Sequence, residues 1–370
     1  MLIGIDANEA NLTANRVGVN QYAFELLHAL YKLETPHIFV IYLKSKPFVD
    51  LPLPRKNWHY RVIPFPKLWT QTRLPVDLFT HAPSPTVFFS MTHYAPRWAP
   101  MPTVVAIMDL GFLSAPEQFT PKDFNQLKSW THYSVKNAKK IIAISEFTKQ
   151  AIQDNYGRKP EDIVVTPLSY NSDLFKPTRD PKIVEKYAIK KPYILFLSSL
   201  KPSKNIERLI EAFAKLTTSR GEVGLVIAGK KAWLFDQIFA KVTQLGLTDR
   251  VIFTGFVDEA DKPALMSGAS AFVLPSLYEG FGIPVLEAMA CGTPVVVSKI
   301  ASLPEVAGSA GIYVDPLDVN SIVKGLQVAI GPTGAKYGKA GLKRVQSFSW
   351  ETCAKQTLEV ILSAAKNPEQ

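Results

Sequence analysis

The sequence predicts an α/β protein of two doubly wound domains, each built on a parallel sheet. Its 370 residues exceed the usual size of one domain and suit two. Short β-branched runs alternate with amphipathic helical stretches, and this alternation starts afresh near Tyr193. The runs in the second half are almost continuously apolar, as strands buried on both faces of a parallel sheet are.

Each half contributes five predicted strands. Those of the first half are Leu2–Asp6, Ile38–Tyr42, Thr103–Ile107, Ile141–Ile144 and Ile163–Thr166. Those of the second half are Tyr193–Ser198, Leu225–Ala228, Val251–Thr254, Ala271–Leu274 and Val295–Val297.

Two helices follow directly from the spacing of apolar residues. After the first strand, Arg16-Val17-Gly18 leads into a stretch in which Tyr22, Leu26 and Leu30 repeat at four. After the sixth strand a second helix begins at Ile206, with Asn205 as its predicted N-cap. Lys204 then lies at the amino terminus of that helix.

The domain boundary is predicted between residues 171 and 191, where Pro177 and Pro181 stand among charges without a long apolar face. The N-terminal domain would cover residues 1–175 and the C-terminal domain residues 176–349. A last helix, Trp350–Ala365, is predicted to return to the first domain, which would then also include residues 350–370.

Composition excludes disordered, collagenous and low-complexity proteins, since 47% of the residues are hydrophobic and 20% are charged. The formal charge of +10 suggests an anionic partner. Two cysteines, Cys291 and Cys353, cannot make a disulfide framework in a chain this long. Without a signal peptide or a membrane-spanning run, we expect a cytoplasmic protein, soluble or peripheral at the inner face of the cytoplasmic membrane.

The densest chemical signal is Pro275-Ser-Leu-Tyr-Glu-Gly-Phe-Gly-Ile-Pro-Val-Leu-Glu-Ala-Met-Ala-Cys-Gly292, a strand end, a glycine-bearing turn and a short helix. Glu279 lies in the turn, and Glu287 lies about one turn inside the helix. Amides at the helix start favour phosphate, and carboxylates favour hydroxyls. The pattern suggests a nucleotide sugar as the ligand. An ordinary βα turn with two solvated carboxylates is the alternative.

These residues resemble the family 4 retaining glycosyltransferases. The Glu279-x7-Glu287 spacing with its Gly-Thr-Pro-Val295 tail resembles the signature of that family. Four further segments also resemble the family and follow one another in the order expected for it: residues 193–205, 225–230, 251–256 and 302–306. The first domain is more weakly similar, through Gly18 and the segments 104–109 and 143–147. The resemblance implies a GT-B architecture, in which two Rossmann-like domains face each other across a cleft.

The resemblance also implies roles for individual residues. Glu287 would hold ribose hydroxyls of the donor nucleotide, and Glu279 would contact hydroxyls of the donor sugar. Lys204 would neutralise the leaving diphosphate, and Gly18 would let a loop of the first domain close over it. The backbone amides of Phe281, Gly282 and Ile283 would contact the sugar and the diphosphate. A fixed lysine and fixed amides stabilise a departing anion without reorganisation.

The sequence departs from the family pattern at two positions. Many relatives carry an Arg five residues before the lysine, where this chain has Ser199, so Lys201 or Lys230 is the candidate replacement. Many relatives also carry a His directly before Asp109, where this chain has Met108. His93, in a loop of the first domain, is a candidate replacement, although such a histidine is more often solvated or structural.

Asp109 follows a predicted strand of the first domain, and we expect it to orient the acceptor hydroxyl. A helix or loop cap is an equally good interpretation of this aspartate. No Asp-x-Asp metal motif occurs in the chain, so we expect no metal and no cofactor, with the nucleotide sugar as substrate.

The basic segment Lys44 to Arg73 carries seven cations against the single acid Asp50. Its interleaved aromatic residues are Phe48, Trp58, Tyr60, Phe65 and Trp69. The segment fits an anionic membrane surface that would bring a lipid-linked acceptor to the enzyme, while a solvated face with partly buried aromatics is the alternative. We expect no nucleic-acid binding, because no nucleic-acid module accompanies the segment.

The expected activity is transfer of a hexosyl unit, mannosyl from GDP-mannose by family resemblance, to a hydroxyl of a glycan or lipid-linked acceptor. Front-face attack with retention is the mechanism that the resemblance implies. Polysaccharide biosynthesis for the cell envelope is the setting it favours. Two alternatives stay open: a nucleotide-sugar epimerase of the same fold, and a non-catalytic nucleotide-sugar-binding protein.

Overall fold

The computed structural model describes residues 1–12, 16, 18–190, 192–217, 223–230 and 236–366. Val17, Lys191 and residues 367–370, which enter the ranges predicted above, lie outside the described residues. The chain separates into two compact units: Met1–Leu168 with Ser349–Gln370, and Ser169–Phe348.

The first unit alternates strands and helices through residue 168. Its elements in chain order are β1 (Leu2–Asp6), α1 (Val19–Lys32), β2 (Ile38–Leu43), β3 (Trp58–Val62), α2 (Arg73–Thr80), β4 (Val87–Ser90), β5 (Thr103–Ile107), α3 (Gly111–Ser114), α4 (Pro121–Asn137), β6 (Lys140–Ala143), α5 (Glu146–Tyr156) and β7 (Ile163–Val165).

The second unit repeats the alternation. Its elements are α6 (Pro181–Lys186), β8 (Tyr193–Leu197), α7 (Ile206–Thr217), β9 (Gly224–Ala228), α8 (Asp236–Gln244), β10 (Val251–Gly255), α9 (Lys262–Gly268), β11 (Ala271–Leu274), α10 (Ile283–Ala290), β12 (Val295–Ser298), α11 (Leu303–Ala307), β13 (Gly311–Val314), α12 (Val319–Ile330) and α13 (Gly334–Arg344). The last helix, α14 (Trp350–Ala365), belongs to the first unit.

Both sheets are parallel and share one topology. The first has the order β3-β2-β1-β4-β5-β6-β7 and the second the order β10-β9-β8-β11-β12-β13. In each sheet the order reverses beside the first strand of the unit, which is the switch point of a doubly wound fold. The predicted fold class of two Rossmann-like α/β domains is confirmed.

The core of the first unit includes helices that the sequence predicts correctly. In α1, Tyr22, Leu26 and Leu30 are buried together with Ala23 and Leu27. Helix α14 has the predicted bounds and packs against α1 and against β4. Tyr22 and Trp350 meet there, with ring centroids 6.3 Å apart.

The elements that the sequence analysis did not place include three strands and helix α13. Strands β3 and β13 lie at sheet edges, where a short strand needs no long apolar run, and β4 has only four residues between prolines. Helix α13 carries three buried glycines. A β-carbon at Gly338 would lie 2.4 Å from the Gly292 carbonyl oxygen, so glycine lets α13 approach the backbone at Gly292 closely. Helix propensity, which disfavours glycine, does not take such a contact into account.

The predicted linker also needs correction. Within residues 171–191, Asp180 caps the short helix α6, which packs against α9. Lys186 Nζ lies 2.6 Å from Asp261 Oδ2, and the Tyr187 hydroxyl donates to the same carboxylate oxygen. The segment is therefore part of the second unit rather than an open connection.

Candidate active site

The candidate site of the second unit lies at its switch point, where the carboxyl ends of β8 and β11 are neighbours. The loop after β8 contains Lys204, and the loop after β11 contains Glu279. Loops at such a point diverge to opposite faces of the sheet and leave a crevice for a ligand.

Asn205 ties the two loops together. Its side-chain amide donates to the carbonyl oxygens of Pro275, at 3.0 Å, and Pro316, at 2.6 Å. Its side-chain oxygen accepts from Arg208, and its backbone is left-handed with φ 58°. The predicted N-cap role is therefore wrong, because the side chain turns away from the helix amides to fix the β11 loop.

Lys204 and Glu279 form an ion pair between Nζ and Oε1. Both side chains are largely buried, with exposures of 10% and 12%. The Ser276 hydroxyl donates to the same Glu279 oxygen at 2.8 Å. Because water screens these two buried charges only weakly, each of them can interact strongly with a charged ligand.

The turn before α10 is held from behind by Ser302. Its buried hydroxyl lies 2.9 Å from the carbonyl oxygens of both Glu279 and Phe281. Gly282 has φ 105°, and a β-carbon there would lie 2.8 Å from Leu303 Cδ2, so the position requires glycine. The backbone of Phe281, Gly282 and Ile283 thus runs into the amino terminus of α10 in a fixed path.

Glu287 lies on α10 and is buried. Burial lowers the pKa of the nearby Lys262. The carboxylates of Glu287 and Glu259 outweigh burial, so the pKa of Lys262 is raised above its ordinary value. Lys262, at the start of α9, was not predicted as a site residue. Lys262 lies outside the Glu279-x7-Glu287 motif in sequence. The packing of α9 on α10 brings its ammonium group close to the Glu287 carboxylate.

The remaining predicted donor-site residues border the β8 loop. Ser199 is half-buried, and the amide of the next residue, Leu200, donates to the Lys230 carbonyl oxygen at 3.0 Å. Lys201 precedes the 3-10 turn Pro202–Lys204. Lys230 itself is exposed. The β8 and β9 loop ends are therefore joined beside Lys204.

In the first unit, Gly18 lies at the start of α1 with φ 54°, and its carbonyl oxygen accepts from the Tyr22 amide. Asp109, after β5, accepts from the Gly111 amide at 2.8 Å, which fixes the turn that leads into α3. His93 lies close enough to Asp109 for their charges to interact. Burial lowers the pKa of the His93 imidazole, and this effect exceeds the opposite effect of the Asp109 carboxylate. The two residues nominated for the acceptor side are thus neighbours.

Asp6, at the end of β1, is a further polar residue of the first unit that the sequence did not predict. Its carboxylate accepts from the Asn8 side chain at 2.7 Å and from the Asn8 amide at 3.2 Å. Burial raises the pKa of Asp6 to about 6, and the neighbouring Glu9 acts in the same direction. The only sequence signal is an acid at the carboxyl end of the first strand of an α/β unit.

The basic segment is more ordered than its composition suggests. Trp58 and Trp69 are buried, and Trp69 Nε1 donates to the Ile63 carbonyl oxygen. The tryptophans therefore belong to the core rather than to an exposed aromatic belt, while Phe48 and Phe65 stay exposed.

Within the described residues, no helix is long and apolar enough to cross a bilayer. Across the same part of the chain, no group of three or more His, Cys, Asp or Glu side chains is arranged to hold a metal ion.

Two family models and several curated relatives match the sequence. Residues 17–174 match the family described as Glycosyltransferase Family 4, and residues 180–331 match the glycosyl transferases group 1. The chain is 33% identical over 289 residues to the O-antigen chain mannosyltransferase B of Escherichia coli, covering 76% of this chain and 73% of that protein. It is 31% identical over 227 residues to the MMP alpha-(1->4)-mannosyltransferase of Mycolicibacterium hassiacum, covering 60% of this chain and 53% of that protein.

Solved structures share the fold at lower identity. The sucrose-phosphate synthase of Thermosynechococcus elongatus superposes with a TM-score of 0.77 at 22% identity, over 99% of this chain and 100% of that one. The Anabaena protein HepE, solved in complex with UDP and glucose, gives 0.72 at 20% identity over 98% and 99%. The family matches and the fold together define a glycosyltransferase of GT-B architecture. More particularly, the chain belongs to the family 4 glycosyltransferases.

Proposed function

We propose that the chain transfers a mannosyl unit from a nucleoside diphosphate sugar, GDP-mannose, to a hydroxyl of a glycan or lipid-linked acceptor, with retention and without a metal ion. The observation that carries the proposal is the buried Lys204–Glu279 pair at the switch point, beside the amino terminus of α10. The mannosyl unit is supported by relatives whose names specify mannosyl transfer.

In this proposal the donor is recognised in three parts. Glu287 accepts hydrogen bonds from ribose hydroxyls, and Glu279 accepts from hydroxyls of the sugar. The diphosphate contacts Lys204 and the backbone amides around Gly282, where the helix dipole of α10 favours an anion. Ser199, Lys201 and Lys230 border the same loop, and the two lysines supply further positive charge.

The ion pair explains how binding is coupled to orientation. A diphosphate that approaches Lys204 competes with Glu279 for the ammonium group, since both are anions. When the lysine turns to the phosphate, the Glu279 carboxylate is left with the Ser276 hydroxyl and is free to accept sugar hydroxyls. The same exchange places the cation where charge grows as the anomeric C–O bond breaks.

Retention follows if the acceptor hydroxyl attacks from the face that the diphosphate leaves. The anomeric C–O bond to phosphate breaks, the new C–O bond forms on that face, and the departing phosphate oxygen takes the acceptor proton. Asp109 and His93 are positioned together in the first unit, and we assign them to orientation of the acceptor.

The experiment is an incubation of GDP-, UDP- and ADP-sugars with glycan and lipid-linked acceptors, with and without EDTA. We expect one donor to be consumed only with acceptor, an α-linked product by NMR from an α-linked donor, and an unchanged rate in EDTA. Conversion of donor without acceptor would indicate an epimerase. Donor binding without any sugar release would indicate a binding protein, and loss of rate in EDTA would overturn metal independence.

We also propose that an anionic membrane surface contacts the first unit through the segment Lys44–Arg73 and the adjoining helix α2. The supporting observation is that α2 presents apolar side chains on its exposed side as well: Leu74 and Leu78 are buried, whereas Val76 and Phe79 are 54% and 60% exposed. Exposed apolar residues beside Lys67 and Arg73 are the combination that favours an anionic lipid interface.

Sedimentation with phosphatidylglycerol vesicles tests the membrane proposal. We expect the wild type to co-sediment at low salt, with binding lost in a Val76→Ser/Phe79→Ser variant and kept in Val328→Ser, an exposed position of the second unit. Equal binding by phosphatidylcholine vesicles, or by the double variant, would contradict it.

A further inference from the structure

Polar groups follow three neighbouring strand ends of the first unit, around the switch point where β1 and β4 are paired. Asp6 and Ser90 are the last residues of these strands and are paired in register, so their side chains lie side by side on the same face. His93 follows β4 closely, and Asp109 follows the neighbouring strand β5.

The Asp6 carboxylate is fixed in orientation by a chain of hydrogen bonds. Asn8 donates to it through both the backbone amide and the side chain. The Asn8 side-chain oxygen in turn accepts from the Lys44 amide at 2.8 Å. Glu9, which faces the same region, is held by the Asn20 side chain at 2.5 Å. The carboxylate is thus preorganised at the open end of the sheet.

Two buried polar atoms at this point have no hydrogen-bond partner among the described residues. One is the Ser90 hydroxyl, on a residue only 1% exposed, and the other is Nδ1 of His93. Buried polar atoms are almost always hydrogen-bonded, because leaving them unpaired costs free energy. A ligand that brings both donors and acceptors to this place would satisfy them.

We propose that Asp6 and Ser90 bind a hydroxyl of the acceptor saccharide, as specificity-determining residues of the acceptor site. A sugar hydroxyl can donate to the Asp6 carboxylate and accept from the Ser90 hydroxyl at once, whereas a fully ionised phosphate has no proton to donate and an apolar group does neither. An adjacent hydroxyl of the same sugar would donate to Nδ1 of His93. The inference rests on the proposed glycosyl transfer and names the residues that select its acceptor.

The test is saturation-transfer NMR with methyl α-mannoside, methyl α-glucoside and methyl α-galactoside, recorded on the full chain in the presence of GDP. We expect at least one glycoside to give a signal with the wild type. The signal should fall at least tenfold in Asp6→Asn and severalfold in Ser90→Ala. The matched control is Asp154→Asn, at an exposed position of the same unit, which should keep the wild-type signal.

Calorimetry with GDP separates the possible failures. Unchanged GDP affinity in Asp6→Asn and Ser90→Ala, together with loss of the glycoside signal, supports the inference. If GDP binds but no glycoside gives a signal, or the variants keep the wild-type signal, the inference is overturned and the proposed function stands. If GDP does not bind the wild type, the proposed donor is wrong. Circular dichroism melting of each variant excludes unfolding as the cause, and Ser90→Ala serves where Asp6→Asn does not fold.

Discussion

Lys204 and Glu279 show most clearly how individual residues decide the chemistry. The ion pair is largely buried and fixes the position of the lysine at the site that we propose for the diphosphate. Replacing Lys204 with Ala should lower turnover by about 10²–10³-fold, because its interaction with the leaving group strengthens in the transition state.

Donor affinity in Lys204→Ala should fall much less than turnover, since diphosphate charge is smaller in the ground state. Steady-state rates and calorimetric donor affinities measure the two effects separately. Lys339→Ala, an exposed lysine of the same unit, is the control. Equal losses of affinity and turnover would argue against a role in leaving-group stabilisation.

Glu287 should act mainly on nucleotide affinity. If Glu287 holds ribose as proposed, its replacement by Ala removes a charge-assisted hydrogen bond worth about 1.5–3 kcal/mol, or about a 10- to 150-fold rise in Kd. Titration calorimetry with GDP measures this change. The exposed Glu185→Gln should bind GDP as the wild type does, and an unchanged Kd in Glu287→Ala would refute the ribose assignment.

Asp6 should leave a signature in the pH dependence of stability. Its folded pKa of about 6 lies above the ordinary value of 3.8, because burial outweighs its bonds to Asn8 and the charge of Lys44. The folded state then binds a proton more tightly than the unfolded state. The contribution of Asp6 to stability therefore falls as pH rises from 4 to 6, and levels off above that range.

Comparison of the wild type with Asp6→Asn isolates this contribution. The free energy of unfolding of the wild type, relative to the variant, should fall by about 2 kcal/mol between pH 4.5 and pH 7. Urea denaturation at several pH values provides the measurement. A difference independent of pH would show that Asp6 titrates near its ordinary value.

At the scale of elements, the turn before α10 depends on its contact with the loop that leads into α11. Ser302 donates towards the carbonyl oxygens of Glu279 and Phe281. Ser302→Ala removes the one hydroxyl proton that these two carbonyl oxygens share, so it should cost about 1–3 kcal/mol of stability and weaken donor binding.

Thermal melting and nucleotide titration of Ser302→Ala test both effects. Ser363→Ala, which removes a hydroxyl from α14 in the first unit, should leave donor binding unchanged. Wild-type donor affinity in Ser302→Ala would show that the turn keeps its path without the serine.

The elements also show what sequence can and cannot predict. Strands such as β8 and β11 are predicted because their apolar runs reflect burial on both faces. The meeting of Lys204 with Glu279 is not predicted, because it depends on Asn205 bonding to Pro275 and to Pro316, which is 111 residues away. The same holds for Asp6, whose partner Ser90 lies on a strand that the sequence analysis missed.

At the scale of the whole chain, both units repeat one topology and each has polar groups at its switch point. In the second unit these are Lys204 and Glu279, and in the first they are Asp6 and Ser90. The Glu-x7-Glu motif predicts a donor side because it is local in sequence. The proposed acceptor side combines residues from three strand ends, so it could be proposed only from the fold.

The most direct test of the account is a thermal-shift and release panel with GDP-, UDP- and ADP-sugars, in the absence of metal. We expect one nucleotide series, that of GDP, to raise the Tm, and free GDP to be released only when an acceptor is added. No rise in Tm with any nucleotide would contradict the assignment of the Lys204, Glu279 and Glu287 site to a nucleotide-sugar donor.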